Sequence, residues 1–325
     1  MYVVELGNVE INFEKLDNII RKYIPSGKNI HLEIKDKFDY IKNMKCYNYI
    51  NDLDRIYKSI GTLGGGNHFI EIDVNNAGEK FLVIHSGSRS LGNQVANYYQ
   101  NLAIDIIKNK IDVNKRRNEI INNYKKVGKD NEIQKVIKDF NEYVRENINL
   151  PNELCYLEGK DRENYLYDMK ICQEYASLNR KTMANIILDK MGLENKGEFE
   201  SIHNYLDFKT NIIRKGAISA YKDEKLIIPI NMKDGCIIGI GKGNEDWNCS
   251  APHGAGRIMS RSKAKELINL SDFKEVMQGI YTTSINEGTI DEAPMVYKPI
   301  DEIVNNIQDS VEILEIVKPI YNFKA

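Results

Sequence analysis

The sequence lacks several features that mark particular classes of protein. It has no run of about 18 apolar residues, so no membrane-spanning helix is expected. Its five cysteines form no Cys-x-x-Cys pair, and its first residues have no signal-peptide core, which favours a cytoplasmic protein with free thiols. The net charge of only −2 argues against coating long nucleic acids by charge, although a local basic pocket could still hold a strand end.

The composition is that of a globular protein with a sizeable core, since 42% of the 325 residues are hydrophobic and 28% are charged. Strand and helix patterns alternate irregularly, without repeated βαβ units. We therefore expect one α+β domain over residues 1–325, with mixed or antiparallel sheets surrounded by helices. A highly charged stretch at about 109–150 is expected to be a solvated helical excursion without a function of its own.

Histidine is scarce, and its placement is informative. Of five histidines, four lie beside Gly, Asn, Ser or Arg rather than among apolar residues: His68, His85, His203 and His253. Imidazole binds metal ions or exchanges protons near neutral pH, and glycine lets a ligand approach closely. The pattern indicates metal and phosphate chemistry, whereas His31 has no such neighbours and is expected to be structural.

Two of these histidines flank a predicted β-hairpin. The apolar segments His68–Asp73 and Lys80–His85 are separated by a turn signal. An unbulged hairpin that pairs Asp73 with Lys80 would place His68 opposite His85, with their Cβ atoms about 5 Å apart. One metal ion could then bind both rings. His203, followed by Asn204, is a weak signal alone and would serve as a third imidazole.

Three segments could contact phosphate. The loop Gly61–His68 has four glycines, whose N–H groups suit phosphate, although a flexible turn is the plain alternative. Arg89 suits bidentate phosphate recognition, while His85 before it could be a buried histidine satisfied by its loop. Near His253, glycines admit a bulky ligand and Arg257 supplies positive charge. A neutral His253 could attack phosphorus and form a phosphoramidate.

Taken together, these segments resemble the RtcB family of RNA-splicing and RNA-repair ligases, from about Gly61 to the C-terminus. The resemblance rests on the strings GTLGGGNHFIEI, HSGSRSLG, QEYASLNR, HNY, RKGAISA, SAPHGAGRIMSR, DEAPMVYK and FKA. It implies an enzyme that joins RNA ending in a 2′,3′-cyclic phosphate or 3′-phosphate to RNA with a 5′-hydroxyl, in tRNA splicing or RNA repair. The implied cofactors are GTP and two Mn²⁺ ions, and the implied partners are RNA ends.

The resemblance also implies roles for individual residues. His253 would be the nucleophile that becomes guanylylated, and Arg89 and Arg257 would hold phosphate. The GMP would pass to the RNA 3′-phosphate, and the 5′-hydroxyl would displace it. The implied manganese ligands are His68, His85 and His203. The residues implied to contact the guanylate are Asn67, His68, Phe69, Ile70, Glu71, His203, Asn204, Pro229, Ile230, Asn231, Met232, Cys236, His253, Gly254, Ala255, Gly256 and Lys324.

The sequence departs from the family pattern in two places. The Asp-x-x-Cys metal motif is absent, and we expect in-frame DNA upstream of Met1 to encode it. Three imidazoles alone are an incomplete site for Mn²⁺, which prefers oxygen ligands. In addition, Pro229–Met232 replaces a Pro-Gly-Ser-Met turn and Cys236 stands where serine is common, so the base pocket is expected to differ.

Two other functions remain open from the residues alone. One is a metal-dependent phosphodiesterase that opens cyclic phosphates without ligation. The other is a non-catalytic module that binds RNA ends because the Asp-x-x-Cys ligands are missing. Guanylylation of the protein would distinguish a ligase from the phosphodiesterase. The number of metal ions bound per chain would test the non-catalytic module.

Overall fold

The computed structural model describes residues 1–109, 113–148 and 150–324. It divides into two compact units: the first comprises Met1–Phe38, Leu53–Arg89 and Gln173–Ala325, and the second comprises Asp39–Asp52 and Ser90–Cys172. Antiparallel sheets and helices together confirm the predicted α+β class. Every helix in the described ranges is too short or too polar to span a bilayer. The expectation of one domain over residues 1–325 stays a prediction.

All strands lie in the first unit, among the residues that the structure describes. The strands are β1 (Tyr2–Gly7), β2 (Phe69–Val74), β3 (Lys80–His85), β4 (Gly197–Glu200), β5 (Tyr205–Asp207), β6 (Ile212–Arg214), β7 (Ala217–Ser219), β8 (Lys225–Asn231), β9 (Gly235–Gly241), β10 (Ser250–Pro252), β11 (Tyr281–Thr282) and β12 (Val311–Lys324). The main sheet has the order β4-β1-β3-β2-β12-β9-β8, with β11 paired in parallel to β12, and two small sheets pair β5 with β6 and β7 with β10.

The helices differ in exposure between the two units. They are α1 (Phe13–Tyr23), α2 (Leu53–Lys58), α3 (Arg89–Asn109), α4 (Val113–Lys126), α5 (Ile133–Ile148), α6 (Gly159–Met191), α7 (Arg261–Leu267), α8 (Leu270–Val276) and α9 (Ile300–Asn306). The charged stretch predicted as a helical excursion contains α4 and α5, whose described side chains are largely exposed. Residues 110–112 and 149 of that stretch lie outside the described residues.

The main sheet is buried on both faces. On one face, β1, β2, β3 and β12 pack against α1 and the C-terminal part of α6, through residues such as Leu16, Ile70 and Ile187. On the other face, Val3, Phe69 and their neighbours form a second cluster. Because side chains alternate along a strand, consecutive residues of β2 therefore enter different environments.

The register of the β2–β3 hairpin shows that the predicted pairing was wrong. Phe69, rather than His68, lies opposite His85, and the whole ladder is displaced by one residue. The turn is the physical reason: the Asn75 N–H donates to the Glu79 carbonyl at 3.0 Å, and the Asn75 side-chain oxygen accepts from the Glu79 N–H at 2.9 Å. Asn75 and Glu79 are therefore the pair that closes the turn. The predicted register instead requires Asn75 to pair with the residue before Glu79.

Candidate active site

Four imidazole rings from separate segments form a continuous row in the first unit. His68 ends the glycine-rich loop before β2, His85 ends β3, His203 follows β4, and His253 follows β10. Adjacent ring centres lie 5.5 Å apart for His68 and His85, 5.2 Å for His85 and His203, and 4.9 Å for His203 and His253. We call these four residues the imidazole row.

Backbone carbonyls fix the protonated nitrogen in two rings of the row. His68 Nδ1 lies 2.7 Å from the Leu63 oxygen, and His85 Nδ1 lies 3.1 Å from the Asn67 oxygen. A carbonyl oxygen only accepts, so each Nδ1 donates and each Nε2 keeps a lone pair. This is the arrangement by which a protein orients a histidine that binds metal through Nε2.

His85 and His203 contact each other through their Nε2 atoms. Their Nε2 atoms lie 3.0 Å apart, and within the described residues His203 Nδ1 is buried without a hydrogen-bond partner. Burial lowers the pKa of His68 and holds the pKa of His85 well below its usual value. Burial, followed by the nearby charge of His253, lowers the pKa of His203 to about 4. The three rings are therefore neutral near pH 7, as metal ligands must be.

The three predicted metal ligands lie in a row rather than around one centre. Over the ranges that the structure describes, the only three His, Cys, Asp or Glu residues whose ligand atoms all lie within 4.8 Å are Glu71, Asp73 and Cys236. The row therefore offers nitrogen donors at separate positions and no oxygen ligands.

Arg89 is held next to His68 by the glycine-rich loop and by Gly27. Arg89 Nε donates to Thr62 Oγ1 at 2.9 Å, and its Nη2 donates to the Gly27 carbonyl at 2.8 Å. At Gly64, φ is +85° and an added Cβ would lie 1.9 Å from Arg89 Nη1. Glycine is therefore required for the close packing of loop, arginine and imidazole.

The segment around His253 is positioned by backbone contacts. The His253 N–H donates to the Gly216 carbonyl at 3.3 Å, and the Gly216 N–H donates to Asn204 Oδ1 at 2.9 Å. The Ala255 N–H donates to the Pro229 carbonyl at 3.1 Å. The predicted guanylate contacts Asn204, Ala255 and Pro229 are thus brought to the same end of the imidazole row.

Arg257 and Lys324 converge on a buried carboxylate. Lys324 Nζ lies 2.7 Å from Glu292 Oε2, and Arg257 Nη1 lies 3.3 Å from Glu292 Oε1. Burial alone would raise the pKa of Glu292, but Lys324 and further hydrogen bonds lower it. Arg257 also donates to the Asp291 carbonyl at 2.6 Å, so its guanidinium is held in place by these acidic residues. Neither acidic residue was predicted to have a role, although the acidic start of the segment DEAPMVYK was the available signal.

Several predicted guanylate contacts do not join the imidazole row. Ile70 is fully buried with α1 and α6 on the opposite face of the sheet. Ile230 and Met232 belong to two other apolar clusters, and Asn231 uses its side chain to accept from the N–H groups of the β8–β9 turn. Phe69 does reach the row, with its ring centre 5.3 Å from that of His85.

Comparison with known proteins gives matches along most of the chain. A family model described as tRNA-splicing ligase RtcB matches residues 26–325. An RNA-splicing ligase RtcB of Escherichia coli (strain K12) is 31% identical over 289 residues, which cover 83% of this chain and 62% of that protein. A tRNA-splicing ligase RtcB of Aeropyrum pernix is 27% identical in an alignment that covers 91% of this chain and 67% of that protein. The chain thus spans less than two thirds of the length of the Escherichia coli relative.

Proposed function

We propose that this chain, which belongs to the RtcB family, is an RNA ligase that joins a 2′,3′-cyclic phosphate or 3′-phosphate end to a 5′-hydroxyl end. The observation that carries the proposal is the imidazole row, in which the buried ring of His85 and the half-buried rings of His68 and His203 lead to His253. Three rings that could bind metal, next to a fourth ring that could act as a nucleophile, favour a reaction in which a nucleotide is transferred to histidine.

In this proposal His68, His85 and His203 hold Mn²⁺, which would neutralise phosphate charge when bound. The carbonyls of Leu63 and Asn67 keep the Nε2 lone pairs of His68 and His85 available, as measured by their contacts to Nδ1. The tautomers are therefore already those of metal ligands, and because His85 Nε2 lies 3.0 Å from His203 Nε2, a bound ion would replace that contact.

His253 is the proposed nucleophile toward the α-phosphorus of GTP. A ring nitrogen forms the bond to phosphorus, and pyrophosphate leaves. A 2′,3′-cyclic phosphate end first adds water and breaks its bond to the 2′-oxygen, which gives the 3′-phosphate. The RNA 3′-phosphate then takes the GMP from His253, and attack by the 5′-hydroxyl on that phosphorus releases GMP. Stacking against His203, with ring centres 4.9 Å apart, orients the His253 ring for this attack.

Guanylate recognition is proposed for residues next to the two ends of the row: Asn67, His68, Phe69, His203, Asn204, Pro229, Gly254, Ala255, Gly256 and Lys324. Arg89 and Arg257 are the proposed phosphate contacts. Both guanidinium groups are already anchored by loop or acidic partners, which favours a fixed orientation toward a bound phosphate. A cytoplasmic location is part of the proposal, supported by the five free cysteines.

Guanylylation tests the proposed function. The full chain is incubated with α-³²P-labelled GTP and Mn²⁺, and acid-labile protein-bound label is measured. We expect label in the parent protein and in the His31→Gln control, and none in His253→Ala. Joining of a 3′-phosphate RNA to a 5′-hydroxyl RNA is measured in the same preparations and should follow the label.

Two results would contradict the proposal. Cyclic-phosphate opening without protein label would favour the phosphodiesterase. RNA-end binding without label or cleavage would favour the non-catalytic module.

A further inference from the structure

Arg214, at the end of β6, is a buried cation whose nitrogens all donate to protein atoms. Its side chain is only 1% exposed. Nε donates to Ser250 Oγ at 2.9 Å, and Nη2 donates to Tyr221 Oη at 3.2 Å. Nη1 donates to Tyr205 Oη and to Asp207 Oδ2, each at 3.2 Å. A guanidinium bonded in this way has no nitrogen left to offer a substrate phosphate, so its role must lie in what it holds together.

One side of this guanidinium holds the segment that follows His203. Tyr205 and Asp207 are the first and last residues of β5, which begins two residues after His203. Tyr205 also pairs with Arg214 across the β5–β6 ladder, and its ring centre lies 5.7 Å from the guanidinium carbon. A backbone pairing, a ring contact and two hydrogen bonds therefore fix the strand that leaves the His203 ring.

The other side of the guanidinium holds the segment that leads to His253. Nη2 donates to the carbonyls of Asn248 and Cys249, at 3.2 and 3.3 Å, and Nε reaches Ser250, the first residue of β10. β10 ends at Pro252, and His253 follows directly. The same side chain is thus bonded to three consecutive residues of the segment that carries the proposed nucleophile.

The backbone just before β10 has a conformation that needs support from its surroundings. Asn248 and Cys249 have φ values of +50° and +45°, in the left-handed region that residues other than glycine seldom adopt. Such conformations persist where neighbouring contacts fix them. Arg214 donates to both carbonyls, and the Ala220 N–H donates to the Cys249 carbonyl at 2.8 Å. These bonds fix the direction in which the chain enters β10.

The two segments held by Arg214 meet at one end of the imidazole row. The His253 N–H donates to the Gly216 carbonyl, and the Gly216 N–H donates to Asn204 Oδ1. Gly216 itself is two residues beyond Arg214. The ring centres of His203 and His253 lie 4.9 Å apart, so short stretches of chain connect one guanidinium to both rings.

We propose that Arg214 is a positioning residue that sets the spacing and relative orientation of His203 and His253 without contacting GTP or RNA. The proposal rests on the ligase function proposed above, since it assigns Arg214 a part in the guanylylation of His253. Lysine has the same charge, but its single ammonium group cannot bridge acceptors on both sides of a planar guanidinium. Arg214→Lys therefore releases one of the two segments, and the two rings lose their fixed spacing.

Single-turnover labelling tests this role in the full chain. Parent protein and Arg214→Lys are mixed with Mn²⁺ and a range of concentrations of α-³²P-labelled GTP, and the rate constant and final extent of protein labelling are measured. A misplaced nucleophile reacts slowly, whereas a partly unfolded population lowers only the final extent. We expect the maximal rate constant to fall about 10–100-fold in Arg214→Lys, while the half-saturating GTP concentration changes less than about threefold.

Asp168→Asn is the matched control for a loss of stability. Asp168 is a fully buried charge that accepts from the Lys45 and Cys46 N–H groups and from Tyr99 Oη, at 2.8, 2.9 and 2.7 Å, all within the second unit. Urea denaturation measures the stability of each variant. Asp168→Asn should lose stability and keep the parent rate constant of labelling.

Ser250→Ala is the second variant, used if circular dichroism shows that Arg214→Lys does not fold. It removes the acceptor of Arg214 Nε and leaves the contacts of Nη1 and Nη2 in place. We expect the rate constant of labelling to fall about tenfold, because a hydrogen bond to a charged group is lost.

A measurement without GTP separates this role from the proposed function. In protein with isotope-labelled histidine, a nuclear Overhauser effect between the ring protons of His203 and His253 reports their spacing. We expect this effect in the parent and in Asp168→Asn, and we expect it to be lost in Arg214→Lys. If the parent protein takes no label but the ring contact depends on Arg214, the ligase is rejected and the positioning of the two rings stands.

Three results would overturn the positioning role. The first is an Arg214→Lys protein that keeps the parent rate constant or changes only the final extent of labelling, as a destabilised protein would. The second is a ring contact between His203 and His253 that survives in Arg214→Lys. The third is a rise in the half-saturating GTP concentration at an unchanged maximal rate, because Arg214 would then act on nucleotide binding.

Discussion

At single residues, backbone carbonyls and glycines determine what the side chains of the imidazole row can do. The Leu63 and Asn67 carbonyls select the tautomers of His68 and His85. A glycine at position 64 leaves the space that Arg89 fills next to His68. The chemistry of the row therefore depends on backbone atoms as well as on the imidazole side chains.

The packing at Gly64 gives the first residue-scale prediction. Gly64→Ala should lower the free energy of unfolding by about 1–3 kcal/mol more than Gly66→Ala, measured by urea denaturation. Both positions have positive φ, but a Cβ at Gly66 meets open space, whereas one at Gly64 meets Arg89 and His68. Equal losses in the two variants would contradict the close contact with Arg89.

His31 gives a prediction about pH. Its Nε2 donates to the Gly61 carbonyl at 2.9 Å, and burial lowers its pKa below the ordinary value of 6.5. Below about pH 6.5 the unfolded chain therefore binds a proton that the folded chain does not, and the free energy of unfolding falls as pH falls.

We expect His31→Gln, whose amide can also donate to Gly61, to reduce this pH slope by up to about 1.4 kcal/mol per pH unit. Urea denaturation between pH 7.5 and 5, taken as roughly the window of histidine titration, measures the slope. An unchanged slope would mean that His31 is protonated in the folded protein.

At the scale of elements, α6 joins the loops that carry the site residues. Asn179 of α6 is fully buried and accepts from the N–H groups of Gly61 and Thr62 through Oδ1, at 2.8 and 3.0 Å. Its Nδ2 donates to the carbonyls of Thr62 and Gly87, both at 3.1 Å. One side chain thus links the glycine-rich loop to the loop after β3.

The linking role of Asn179 predicts a large effect for a small change. Asn179→Asp keeps the acceptor but replaces the donor with a buried oxygen, so it should lower the free energy of unfolding by at least about 2 kcal/mol. The control is Asn93→Asp on exposed α3 surface, expected within about 0.5 kcal/mol of the parent. Thermal denaturation compares the two, and similar stabilities would show that the Nδ2 bonds contribute little.

For the whole molecule, the imidazole row predicts that Mn²⁺ stabilises the folded state. A ligand at 100 times its Kd raises the free energy of unfolding by about 2.7 kcal/mol, because it binds folded protein only. Melting temperature is measured in chelator and after addition of Mn²⁺. The rise should disappear in the double variant His85→Asn and His203→Asn and persist in His31→Gln, and a rise in both would place the ion elsewhere.

The sequence alone predicted the α+β class and the family, because each depends on local information. Strand and helix periodicities are written in neighbouring residues, and so are strings such as GTLGGGNHFIEI. It also selected the four histidines that form the row. The predicted pairing of His68 with His85 was wrong by one residue, because a turn that is one residue longer fits the same apolar pattern.

By itself, the sequence determined which residue types are available for chemistry and which short segments carry them. Only the tertiary structure decided which of them meet. The four histidines of the imidazole row come from four separate segments, and their convergence depends on the order of strands in the sheet. Pairing between distant strands is fixed by the packing of the whole core, so no local pattern encodes it.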